Sequence, residues 1–64
     1  MTYRCRWRYN DNNKKAVEIV FEGEYIVRVI EDIEGAWYPV KESLPQPDRK
    51  KADATFRRYV RKYL

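Results

Sequence analysis

Residues 3–9 read Tyr-Arg-Cys-Arg-Trp-Arg-Tyr, with Tyr3, Cys5, Trp7 and Tyr9 alternating strictly with Arg4, Arg6 and Arg8. A period of two is that of a half-buried strand, apolar on one face and polar on the other. Asn10-Asp11-Asn12-Asn13-Lys14 follows, built from residues that tolerate turn conformations. Val17, Ile19 and Phe21 then alternate with Ala16, Glu18 and Val20. Gly23 separates this second strand from the β-branched run Tyr25-Ile26-Val27-Arg28-Val29-Ile30-Glu31. After Gly35, Ala36-Trp37-Tyr38-Pro39-Val40 reads as a short fourth strand. Pro39 places it at a sheet edge, because proline cannot donate to the ladder.

The pattern changes after Leu44-Pro45-Gln46-Pro47, whose prolines restrict the chain to extended or turn shapes. Asp48 is a good N-cap. Beyond it Ala52, Phe56, Tyr59, Val60 and Tyr63 recur at helical spacing, opposite Lys50, Asp53, Arg57, Arg58, Arg61 and Lys62. Asp53 and Arg57 are spaced for an i,i+4 pair. The predicted architecture is therefore α+β. An antiparallel sheet of three to four strands (about 2–9, 15–21, 25–31 and 36–40) carries one C-terminal helix (about 48–63) on one face, in a single domain spanning 1–64.

Loop lengths refine the register. With loops at 10–14 and 22–24, Trp7 opposes Val17, Cys5 opposes Ile19, Ile19 opposes Val27, Val17 opposes Val29 and Phe21 opposes Tyr25. The odd positions then share a face under the helix, including Trp7. On the other face Arg6, Glu18 and Arg28 form a row of alternating charge. A one-residue slip would carry a strand's side chains to the wrong face.

Composition narrows the chemistry. The chain of 64 residues has two Trp, six Tyr and two Phe, rings that a small core needs for buried area. With one cysteine and no histidine, an internal disulfide and a Cys/His zinc site are excluded. General acid–base chemistry lacks its commonest agent, and no glycine loop is present to cradle phosphate. The expectation is a protein that is not an enzyme, with no cofactor and no metal. Cys5 flanks Arg4 and Arg6 in sequence but points with the apolar set, as an inert core thiol does. The lone thiol, the absence of a signal-peptide pattern and the lack of a long apolar run together predict a cytoplasmic protein that does not enter a membrane.

Charge is segregated. Residues 1–15 carry a net +4, residues 16–48 a net −6 and residues 49–64 a net +6, within an overall +4. Basic residues gathered at both ends of a chain attract polyanions. The leading expectation is a small basic module that contacts nucleic acid through Arg4, Arg6, Arg8 and Arg28 on the sheet and Arg57, Arg58, Arg61 and Lys62 on the helix. The alternative is a protein-interaction module, either an inhibitor or accessory factor of viral or mobile-element type, or a homodimer. It would use an outer sheet face that exposes Val20, Ile26 and Ile30 together with Trp37 and Tyr38. A third arrangement puts the helix on the even face and exposes Tyr3, Trp7, Tyr9 and Tyr25, a layout on which single-stranded bases stack. Its core would have to bury four arginines, at high cost.

Overall fold

A computed structural model of the chain describes residues 1–64. Four strands, β1 (Tyr3–Tyr9), β2 (Lys15–Phe21), β3 (Tyr25–Ile33) and β4 (Ala36–Glu42), form one antiparallel sheet in the order β1-β2-β3-β4. Helix α1 (Arg49–Tyr63) follows and packs on β2 and β3. The α+β class and the order of elements match the sequence expectation. The fourth strand forms, and it is an edge, as Pro39 requires.

The core lies between the sheet and the helix. Val17, Ile19, Val27 and Val29 are fully buried under Ala52, Phe56 and Tyr59, with Cys5, Tyr25, Val60 and Tyr63 packed around them. Each fully buried aliphatic side chain contributes about 1.5–3 kcal/mol. A row of rings closes one end, with Phe21 lying 5.3 Å from Tyr3 and 4.9 Å from Tyr25 between centroids. The β2–β3 register is the expected one: Val17 opposes Val29, Ile19 opposes Val27 and Phe21 opposes Tyr25 across a turn at Gly23, whose φ is +76°. Glu34 and Gly35 both have positive φ (53° and 87°) and make the tight β3–β4 turn. Asp32 Oδ1 accepts from the Gly35 amide at 2.9 Å.

The connector folds back on β3. Gln46 exchanges backbone hydrogen bonds with Tyr25 (2.8 and 2.9 Å), and Ser43 Oγ accepts from the Val27 amide at 3.0 Å. Asp48 caps α1, accepting from the Lys51 amide at 2.8 Å. Asp53 does not pair with Arg57. It accepts from Arg49 Nε (3.2 Å), one turn earlier, and from Arg6 Nη1 (3.1 Å) on the sheet.

The first strand departs from the expected register. Tyr3 opposes Phe21 and Arg4 opposes Val20, but the pairing then slips at Cys5, so that Arg6 opposes Ile19, Trp7 opposes Glu18, Arg8 opposes Val17 and Tyr9 opposes Ala16. This is a β-bulge, in which one extra residue reverses the facing of everything beyond it. The loop that follows agrees with the slipped register. The Asn10 amide donates to the Lys15 carbonyl at 2.8 Å, Asn10 Oδ1 accepts from the amides of Lys14 (3.0 Å) and Lys15 (3.1 Å), and Asn13 takes φ 57°. The expectation that Trp7 lies under the helix is thereby overturned. Its ring is on the outer face and 51% exposed.

Candidate functional site

The bulge makes β1 a two-sided strand. Past Cys5, Arg6 and Arg8 turn towards the helix, and Trp7 and Tyr9 turn outward. On the helix side the Arg6 guanidinium lies 4.3 Å above the Phe56 ring centroid while donating to Asp53. Arg6, Arg8, Arg57 and Arg61 line a cleft of about 200 Å³ whose apolar part is Phe56 and Val60. The helix supplies Arg57 and Arg61 from successive turns of one face, and β1 supplies Arg6 and Arg8. Two basic segments far apart in sequence thus meet along one groove.

The carboxylate beside this groove is occupied. Partial burial works to raise the Asp53 carboxyl, but hydrogen bonds from Arg49 and Arg6 outweigh it and hold the group below its ordinary value. Arg6 is therefore partly neutralised, whereas Arg8, Arg57 and Arg61 pair with no carboxylate. Arg58 and Lys62 are exposed on the same helix and are also unpaired, with Lys62 Nζ 5.5 Å from the Tyr63 ring. A groove of guanidiniums over a small apolar floor has the chemistry to take an anion, and phosphate suits it because each guanidinium presents a fork of donors.

The outer face has a different character. Glu18 is 4% exposed and lies between two arginines. Arg4 Nε donates to Oε1 at 2.8 Å, and Arg28 donates to Oε2 through Nε (2.9 Å) and Nη2 (2.6 Å). The charged row is therefore Arg4–Glu18–Arg28 and not the expected Arg6–Glu18–Arg28, because the bulge sends Arg6 to the other face. Burial opposes the charge on Arg4, but its hydrogen bonds to Tyr9 and Glu18 outweigh this and raise its pKa. The same guanidinium lies 4.9 Å from the Trp7 ring and 5.6 Å from Tyr9. Trp37, from the opposite edge strand, meets Tyr9 edge to face at 5.7 Å. Arg4, Glu18 and Arg28, together with Tyr9, Ile30, Trp37 and Pro39, bound a hollow of about 310 Å³.

These side chains also correct the exposure expected of the outer face. Val20 and Ile30 are buried, at 6% and 8% exposed, and Ile26 is half-buried, so the three do not form an open aliphatic patch. Side chains from the edge strands shield the central positions, and Ala16 is wholly buried although no helix covers it. Of the interface candidates, Trp37 and Tyr38 are exposed, at 40% and 51%. Among the basic candidates, Arg4 and Arg28 serve Glu18, Arg6 serves Asp53, and Arg8, Arg57, Arg58, Arg61 and Lys62 are free. The favoured sequence reading places Trp7 and Tyr9 on the helix side, and only the arrangement with the helix on the even face exposes them. Sequence reasoning missed Phe56 as the floor of the groove. A one-residue bulge leaves no mark in an alternating pattern.

No protein-family model matches the chain, and neither a curated protein nor a solved structure matches it. No helix is long and apolar enough to cross a membrane, and no three Cys, Asp or Glu side chains gather as metal ligands would.

Proposed function

We propose that this chain is a small nucleic-acid-binding module without catalytic activity, and that it holds the phosphate backbone in the groove between β1 and α1. The observation that carries this reading is the convergence of Arg8, Arg57 and Arg61, none of them paired, with Arg6 on one cleft. Arg58 and Lys62 extend the positive surface along the helix. A solvated helix face charged only for solubility would not need Arg8 to join it from the sheet. Arg4 and Arg28 are engaged by Glu18 and are not among the proposed phosphate contacts.

Binding of labelled oligonucleotides across a salt series tests the proposal. Affinity is expected to fall steeply with salt, as it does when cations on the protein displace condensed counterions. The double variant Arg57→Glu/Arg61→Glu is expected to lose binding at low salt while keeping its fold, since both side chains are exposed. A wild-type protein that binds no oligonucleotide at low salt would remove this function. A protein partner would then be the better reading, at the exposed edge strand β4, where Tyr38 and Val40 are 51% and 49% exposed and outside the core.

A further inference from the structure

We infer that the outer sheet face receives unpaired bases, so that the nucleic acid bound is single-stranded. This rests on the nucleic-acid reading above and adds a second subsite to it. Trp7, Tyr9 and Trp37 are 51%, 38% and 40% exposed and lie outside the core cluster. Each of the three keeps more than a third of its surface open to solvent. Tyr9 and Trp37 border the 310 Å³ hollow together with Ile30, and Trp7 stands beside it, 4.9 Å from the Arg4 guanidinium that also lines it.

The chemistry of the hollow selects a base over a phosphate. Both Glu18 oxygens already accept from Arg4 and Arg28, and Glu42 lies 3.8 Å from Arg28. Two guanidiniums and two carboxylates leave this face close to neutral, so it has little pull on phosphate. It offers ring faces for stacking and guanidinium N–H groups not used by Glu18, which suit the carbonyl edge of a base. The cationic groove has the opposite property, with charge in excess and only Phe56 and Val60 as apolar surface.

The two subsites share one strand. β1 is a sheet edge, and along it Arg6 and Arg8 face the groove while Trp7 and Tyr9 turn to the outer face, where Tyr9 borders the hollow. A nucleic-acid strand lying along this edge meets guanidiniums on one side and rings on the other. A duplex can offer phosphates to the groove, but its bases are stacked and paired and do not reach the rings.

The test uses the whole chain with a short single-stranded DNA, a short single-stranded RNA and a duplex of the same sequence at one low salt concentration. At least one of the single strands is expected to bind more tightly than the duplex and to quench tryptophan emission. Trp7→Ala and Trp37→Ala are each expected to weaken that binding by roughly 5- to 160-fold, the range set by loss of one stacked base, and to leave duplex binding unchanged. Emission from the wild-type protein needs no variant, so the result does not depend on either substitution folding. Equal affinity for single strands and duplex with unquenched emission would overturn the base subsite and leave the phosphate groove standing. Absence of binding to all three would remove both.

Discussion

Glu18 is the only charged residue buried in this chain, and its surroundings explain why it is tolerated. Burying a carboxylate is costly unless each oxygen is hydrogen-bonded and its charge offset. Here three N–H groups from Arg4 and Arg28 meet both oxygens, and no buried side-chain polar atom is left without a partner. The arrangement also sets the position of Arg4, whose guanidinium spans Trp7 and Tyr9. Replacing Glu18 by Gln keeps the shape but removes the charge and leaves two guanidiniums facing one amide. The expected loss is about 1–3 kcal/mol, below the figure for a fully buried pair because both arginines reach solvent. Urea denaturation measures it as a lower midpoint at unchanged slope. A Glu18→Gln variant as stable as wild type would mean that the row contributes nothing to the fold.

Among the elements, β2, β3 and α1 were legible in the sequence, and the facing of β1 was not. For β2 and β3 one register alone aligns Val17, Ile19 and Phe21 with Val29, Val27 and Tyr25, so burial on one face fixes the pairing. The helix was legible for the same reason: its apolar stripe matches the buried side, and Asp48 marks its start. In β1 the apolar set is aromatic apart from Cys5 and the polar set is arginine, and both rings and guanidiniums are adapted to half-buried positions. Arg6 covers Phe56 as an apolar residue would, while Trp7 stands in water. The candidate basic residues were visible as clusters. Which of them were already engaged depended on contacts between residues as far apart as Arg6 and Asp53. The bulge has a direct optical test. In a Trp37→Phe variant the remaining indole, Trp7, is expected to emit at long wavelength and to be quenched freely by acrylamide. Shielded, blue-shifted emission would mean that β1 pairs without a bulge and that Trp7 lies under the helix.

At the scale of the whole molecule, Asp53 links the sheet edge, the helix and the positive groove, and its charge acts on folding and on binding in opposite directions. Its carboxylate ties Arg6 of β1 to Arg49 of α1, which stabilises the docking of the helix. It also places a negative charge beside the groove proposed to hold phosphate. Because its folded pKa is lowered, its contribution to stability is complete above the ordinary aspartate value of about 4 and is lost as pH falls through the lowered folded value. Asp53→Asn is therefore expected to flatten that acid limb of the stability profile. At neutral pH it should reduce stability by less than about 1 kcal/mol, since solvent screens both arginines. The same substitution raises the net charge by one and frees Arg6 and Arg49. Oligonucleotide binding is accordingly expected to tighten and its salt dependence to steepen. Stability and affinity moving in opposite directions in one variant separates this account from a general loosening of the fold, which would weaken both. If affinity instead falls or stays level while the protein remains folded, the path of the phosphates does not pass Arg6, and the groove between β1 and α1 is not the binding surface.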